Sequence, residues 1–339
     1  MLKIYSSHKQ GLQQISNEEA LKSREVPVWY DLFDPTKDEE HFVEELLGID
    51  VPTRDEMHEI ELSSRLYLQD GALYATATLV TNSETPEPET HAVTYILTRK
   101  CLITVRYSEP YSFRSYIKNL PNLNSKEAHG GHVFAGLIEA AVNRVADILE
   151  TTGHQLDSLN RQLFRVPLVI KKRTKEEKAA QKRLPLPEKP DYALLIREIG
   201  VKGDLLSKIM ESLLSMNRIL GFVSSSVYMK SGSAAFHRTQ TLMHDISALN
   251  DHAGFLTSKV NFLLDATLGM VGIEQNAIIK IFSVAAVIFL PPTLVASIYG
   301  MNFHFMPELD WHYGYPMALS LMLLSAWLPY RFFKRKKWL

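Results

Sequence analysis

Three patterns of apolar and polar positions follow one another along the chain. Up to about residue 125 the apolar residues come in short, partly alternating runs rich in Val, Ile, Thr and Tyr, which predict strands. VPVWYDLFD (26–34), ALYATATLV (72–80) and HAVTYILTRKCLITVRY (91–107) are the clearest. NSETPEPET (82–90) reads as an exposed polar loop between two of them, and PTRDEMHEIE (52–61) as a short helix with Thr53 as N-cap and Glu56 at N3. A small sheet covered by helices is expected. From about residue 130 the period changes to that of helix. Val133, Phe134, Leu137, Ile138, Ala141, Val142, Val145, Ile148 and Leu149 recur at three- and four-residue steps, continuing through Leu156, Leu159 and Leu163. A second helix is predicted from about Tyr192 to Tyr228, on Leu195, Ile199, Leu206, Ile209, Leu213 and Leu220. The charged KKRTKEEKAAQKRLPLPEKP (171–190), with three prolines, reads as a solvated hairpin tip; a basic patch for anionic lipid or nucleic acid is the alternative. A third stripe starts near Ala234 and runs through Leu242, Ile246, Leu249, Ala253, Leu256, Val260, Leu263, Leu264 and Leu268, with no proline before Pro291. About 65 residues of unbroken helix would be roughly 100 Å long. Such a helix is expected to pack against other helices or other copies of itself.

The third pattern is nearly pure apolar sequence. Between Lys280 and Glu308 there are 27 residues without Asp, Glu, Lys or Arg, and between Asp310 and Arg331 there are 20 more. A spanning helix needs about 20 mainly apolar residues, so both windows predict membrane spans; a hydrophobic hairpin in a soluble core is the alternative. The connector, about Asn302 to Tyr313, carries Glu308 and Asp310 but no Lys or Arg, whereas Arg331, Lys334, Arg335, Lys336 and Lys337 follow the second window. Basic residues stay on the cytoplasmic side, so both termini are expected inside and the loop outside. Tyr313, Tyr315, Trp327 and Tyr330 stand where an aromatic belt is expected. Pro291-Pro292 removes helix hydrogen bonds, and freed carbonyls in a membrane are tolerated only against protein or water. The first span is therefore expected to be shielded and to line something; a kink without function is the alternative. MLKIYSSHKQ holds no apolar core of signal-peptide length, so the chain is expected to begin in the cytosol.

Composition narrows the chemistry. Lys+Arg is 37 and Asp+Glu 38, a net charge of −1, against the basic balance of a nucleic-acid binder. A single cysteine excludes an internal disulfide framework and a Cys-based zinc site. There is no GxxxxGK[ST], no GxGxxG after a strand and no HExxH. No organic cofactor and no enzymatic activity are predicted. His129-Gly-Gly-His132 could serve a metal but has no evident third ligand and reads as a loop and helix start. His58-Glu59-Ile60-Glu61 reads as a solvated helix face.

One string is specific. SIYGMNFHFMPEL (297–309) places Tyr299-Gly300-Met301-Asn302 at the end of the first apolar window and Met306-Pro307-Glu308-Leu309 in the loop, ahead of a second window and KRKKWL. This resembles the CorA family of divalent-cation channels, and the likeness extends over the whole plan. It implies an α+β cytosolic domain (1–128), a cytosolic helical hairpin (129–232), a stalk helix (233–277) entering the membrane, a pore-lining first span (278–301), an outer loop (302–313), a second span (314–331) and a basic cytosolic tail (332–339). Five copies would form a funnel-like homopentameric channel in the inner membrane, in contact with lipid. The family's selectivity motif falls on Gly300, Met301 and Asn302. Its pore-facing positions fall, by ungapped counting, on Asn276, Ile279, Phe282, Leu290 and Thr293. The family often has Met where this chain has Ile279 and Leu290, and Leu where it has Phe282; all three remain apolar. The implied ions are Mg²⁺, both transported and regulatory, with Co²⁺ and Ni²⁺ as further cargo. The family's regulatory stalk aspartate falls by counting on Thr241, which leaves Asp245 and Asp251 on the same helix as candidates; a solvated stalk face explains them equally well. A ZntB-type zinc transporter shares the ending and the plan and is the alternative.

Elementary chemistry is consistent with this expectation. Mg²⁺ prefers octahedral oxygen and gives up water reluctantly, so its pore need not strip the ion. Asn302 amides would offer oxygens to the hydration shell, although Asn is also a fitting helix C-cap. Gly300 would let backbone turn or approach where a side chain would clash. Glu308 and Asp310 would concentrate cations at the outer mouth. A divalent ion gains roughly 4.6 kcal/mol in crossing 100 mV, so uptake needs no ATP site.

Overall fold

The computed structural model describes residues 1–339 apart from 9–10, 23–25, 60, 86, 121–128, 165–189, 230, 302–305, 308–310, 337 and 339. Seven strands, β1 (Leu2–His8), β2 (Gly11–Ile15), β3 (Trp29–Phe33), β4 (Leu66–Gln69), β5 (Ala72–Thr81), β6 (Glu89–Leu97) and β7 (Leu102–Arg106), form one sheet in the order β2-β1-β3-β7-β6-β5-β4. The central β3–β7 pair is parallel and the other pairs are antiparallel. Side chains alternate across a strand, and here the alternation sorts two different layers. Tyr30, Leu32, Ile103 and Val105 join Ile4, Tyr74 and Ile96 in one core. It is closed by Val43 of α2 (Lys37–Leu47) and Met57 of α3 (Arg54–His58). Reciprocal capping boxes start both helices, Thr36 with Glu39 and Thr53 with Glu56, and Gly48 at φ 66° ends α2. α1 (Asn17–Lys22) and α4 (Leu62–Arg65) are short connecting helices.

The other layer carries Trp29, Asp31, Thr104 and Arg106, all buried. The Arg106 guanidinium donates from Nε to Asp31 Oδ1 at 3.0 Å, from Nη2 to Oδ2 at 2.8 Å and from Nη1 to the Ser108 carbonyl at 2.9 Å. Thr104 donates to the same carboxylate at 2.8 Å and accepts from the Trp29 indole at 2.9 Å. The rings of Phe33 and Phe113 flank the guanidinium at 4.3 and 4.7 Å. A charge taken out of water must be paired and hydrogen-bonded, and this one is.

Helices α5 (Tyr111–Asn119), α6 (Gly130–Phe164) and α7 (Tyr192–Ser224) also pack in this first unit. Two glycines set the approach. A Cβ on Gly136 would fall 2.4 Å from the Tyr116 ring, and one on Gly130 would fall 2.6 Å from the Cys101 backbone. Gly130 of the 129–132 string is thus a packing feature. Ser215 of α7 fastens to β5 by accepting from the Thr78 N–H at 2.9 Å, while donating to the Ser212 carbonyl at 2.8 Å.

The third predicted helix is α8, which runs unbroken from Ala234 to Tyr299 over 66 residues. Leu242, Ile246, Ala253, Leu256, Val260 and Leu263 of its stripe are buried, while Leu268 is exposed. Leu256 and Val260 reach Gly153 of α6 and Gly203 of α7. The pairs Arg238–Glu139 and Lys259–Asp157 tie α8 to α6. Lys259 at 2.6 Å holds the Asp157 carboxyl below the usual carboxylate range. The expectation that the stripe packs on other helices therefore holds within the chain itself as far as Leu263. The chain divides into two compact units, Met1–Leu264 and Asp265–Leu339. The second contains the rest of α8 and α9 (Gly314–Arg335).

β3, β5, β6, β7, α3 and the three long helices stand where the sequence predicts them. β1, β2, β4 and α2 were not predicted: half-polar LKIYSSH and GLQQI become strands only by pairing with β3 and each other, whereas α2 carries a local signal that was missed, the Thr36–Glu39 capping box closed by Gly48. Most of the predicted hairpin tip lies outside the described residues.

Asp31→Ala leaves Arg106 buried and unpaired, and should cost about 3–5 kcal/mol. Asp31→Ala with Arg106→Met should regain much of that loss. Urea unfolding of the intact protein checks both, and equal stability of the Asp31→Ala variant and wild type would refute the account.

Candidate functional site

The 3.6-residue turn of α8 sorts its apolar end into two faces. Val284 is buried, and Ile288, Pro291, Val295 and Tyr299, on the same side, are half-buried. Asn276, Ile279, Phe282, Leu290 and Thr293 fall within an arc of about 120° on the opposite side. All five are exposed, with Ile279, Phe282 and Leu290 at 61%, 71% and 68%. The helix thus brings the five sequence-predicted positions to one face. Ser283, Ala286 and Ser297 share the arc and are exposed too. They were not singled out from the sequence, although stepping by four or seven residues from Leu290 and Thr293 reaches each.

Among the described residues α8 is the one helix long and apolar enough to cross a membrane, and its most apolar 18-residue window is only 6% buried. In α9 the apolar run is diluted by Tyr315, Pro316, Trp327, Pro329 and Tyr330. The α8 helix continues through Pro291 and Pro292. Those residues supply no N–H to the carbonyls of Val287 and Ile288. One and two turns on, Thr293 donates its hydroxyl to the Phe289 carbonyl and Ser297 to the Thr293 carbonyl, each at 2.8 Å. Both hydroxyl oxygens keep lone pairs that can accept.

The helix ends at the motif. Gly300 N–H donates to the Ala296 carbonyl at 2.9 Å and Met301 N–H to the Ile298 carbonyl at 3.3 Å. Gly300 and Met301 are exposed. Gly300 does not use the left-handed region, and a Cβ there would meet only the Ala296 and Ser297 carbonyls, at 3.1 and 3.7 Å. Gly300 thus lies in the hydrogen-bonded turn that closes the helix, as expected, but without a left-handed backbone. Asn302, Glu308 and Asp310 lie outside the described residues.

The remaining candidates separate. Asp245 and Asp251 are both exposed on α8. Six residues apart, they point about 120° away from each other, so one copy of the helix does not bring them together. In the 129–132 string, His129 Nδ1 accepts from the His132 N–H at 3.2 Å, and His132 Nε2 lies 3.4 Å from Arg238 Nη1. These contacts hold a helix start. His58 and Glu61 are exposed, as expected. Among the described residues no group of three or more His, Cys, Asp or Glu could hold a metal ion.

Comparison with known proteins gives a consistent result. The family model described as CorA-like Mg²⁺ transporter protein matches residues 24–335. The magnesium transport protein CorA of Pasteurella multocida is 35% identical over 312 residues, 92% of each chain. The complete CorA magnesium transporter structure from Methanocaldococcus jannaschii is similar in fold, with TM-score 0.75 and 17% identity over 100% of this chain and 99% of that one. The ZntB cytoplasmic domain from Vibrio parahaemolyticus shares the fold more distantly, with TM-score 0.52 and 13% identity over 80% of this chain and 97% of that one. A family match that leaves out only residues 1–23 and 336–339, with a relative this similar over 92% of each chain, shows that the chain belongs to the CorA-like Mg²⁺ transporter family, a family of transporters and not of enzymes.

Proposed function

We propose that the protein is a homopentameric inner-membrane channel that takes up Mg²⁺, driven by the membrane potential, and also passes Co²⁺ and Ni²⁺. The observation that carries this reading is the bare face of α8, which leads to Gly300-Met301-Asn302 in a chain of this family. Five copies of that face around one axis would present Asn276, Ile279, Phe282, Leu290 and Thr293 to a pore. Asn302 amides, ringing the outer end, would accept from the water shell of the ion and leave it hydrated. Glu308 and Asp310 would raise the cation concentration outside. Without fixed charge along the pore, binding stays weak enough for release.

Ile279, Phe282 and Leu290 would form apolar rings that stop ions by dewetting. Cytosolic Mg²⁺ would favour this closed state through Asp245 and Asp251. Because the two diverge on one helix, each would work with carboxylates of a neighbouring copy. α9 would be the second span, with Arg331, Lys334, Arg335 and Lys336 on the cytosolic side beside both termini.

Flux into proteoliposomes tests the reading. Under an inside-negative potential, Mg²⁺ should enter, and Mg²⁺ on the cytosolic face should suppress entry. Asn302→Ala should lower entry at least about tenfold while the assembly keeps its size in gel filtration. Normal entry in that variant would sink the pore assignment, and Zn²⁺ flux that follows a proton gradient with little Mg²⁺ entry would favour a ZntB-type transporter.

The same substitution two residues apart should act in opposite ways. Phe282→Asn, on the exposed face, should wet the gate and raise flux at inhibitory internal Mg²⁺ with little change in melting temperature. Val284→Asn, on the covered face, should bury an unpaired amide and destabilise by about 1–3 kcal/mol. Flux and thermal melting of both variants separate a pore face from a packing face.

A further inference from the structure

In the second unit a cleft of about 780 Å³ lies between Val287 of α8 and the last turns of α9. Its walls are apolar: Val287, Trp327 and Phe332 line it and are 45%, 51% and 57% exposed. Its polar groups are the guanidinium groups of Arg331 and Arg335, four residues apart and therefore on one face of α9. Arg331 sits over the Trp327 indole with its guanidinium carbon 5.1 Å from the ring centroid. No acidic residue lines the cleft. From Trp311 to Leu339 the sequence has no Asp or Glu, so no carboxylate on this segment can neutralise the pair. An apolar slot beneath two uncompensated arginines, with an indole at its edge, matches a molecule with a fatty tail and an anionic head.

We propose that this cleft seats one anionic phospholipid, with an acyl chain along Val287, Trp327 and Phe332 and the phosphate between Arg331 and Arg335. The proposal rests on the reading of α9 as a membrane span. It adds to that reading a defined lipid site that holds α9 against α8 at the cytosolic end, rather than a diffuse attraction of a basic tail. Lys334 provides the contrast, since it carries the same charge but turns to Tyr330, its Nζ 5.5 Å from that ring centroid, and does not line the cleft.

The test uses the intact protein in phosphatidylcholine vesicles doped with either brominated phosphatidylglycerol or brominated phosphatidylcholine. Trp327 quenching is taken as the difference between wild type and Trp327→Phe. Phosphatidylglycerol should reach half-quenching at a mole fraction lower by about fivefold for each arginine engaged. The preference should vanish in Arg331→Gln with Arg335→Gln and survive in Lys334→Gln. Equal quenching by the two lipids in the wild type would overturn the site while leaving α9 in the bilayer, as would a preference lost equally in Lys334→Gln. Absence of Trp327 quenching by either lipid would instead remove the span, and the site with it.

Discussion

Ile279, Phe282, Phe289 and Leu290 stand 61–71% exposed on one chain of α8. Burying a side chain of this size is worth about 1.5–3 kcal/mol, and the run holds no charge from Ile281 to Pro307 that could keep it in water. A face this apolar must meet lipid or another copy of the chain. The two sides of the helix answer differently. The side with Val284 is partly covered, and the side with Leu290, Thr293 and Ser297 mixes apolar groups with hydroxyls. A lipid-facing surface has no use for hydroxyls, whereas a hydrated pore does. That asymmetry is the reason for assigning the pore to the second side, and the family membership gives it an ion.

The first unit anchors its own part of α8 by named contacts. Asp31 and Arg106 lock the centre of the sheet by a bidentate pair in which each further polar atom named has a partner. Gly136 and Gly130 bring helices within reach of Tyr116 and of the Cys101 backbone. Lys259 and Arg238 then pin α8 to α6. The consequence for the proposed function is mechanical. Asp245 and Asp251 lie on the same unbroken helix that ends at Tyr299, so a cation held between copies at those carboxylates, as proposed, would act on the element that would carry the gate.

Much of this was legible in the sequence, for a definite reason. Local signals survive without tertiary context: the 3.6-residue stripes of α6, α7 and α8, the Thr53–Glu56 capping box, the charge-free windows and the Gly300-Met301-Asn302 string. What stayed hidden depends on partners far away in the chain. β1 and β2 hold too few apolar residues to announce themselves and exist through pairing. Asp31 and Arg106 are 75 residues apart and meet only because β3 and β7 lie side by side in parallel. Gly130 reads correctly as part of a helix start, but nothing local says that the β7 start will pass 2.6 Å from its missing side chain. Ser283, Ala286 and Ser297 were missed for another reason: the five positions came from the family resemblance, and the arc they share is defined only once α8 is seen to run unbroken through Pro291 and Pro292.

Gly300 marks where a single chain stops explaining its own sequence. Its backbone is not left-handed, and a methyl group there would press on the Ala296 carbonyl at 3.1 Å, a tight contact that a helix end can relieve by a small shift. Gly130 and Gly136, by contrast, have side-chain space closed by groups of the same chain at 2.6 and 2.4 Å. Among the described residues only the α8 backbone itself, the Ala296 carbonyl, crowds a side chain at Gly300. In the proposed ring of five, the outer end of α8 would be where neighbouring backbones and a hydrated ion compete for the same few ångströms, and a missing Cβ there would widen the passage and bare backbone without adding charge, as suits an ion that keeps its water.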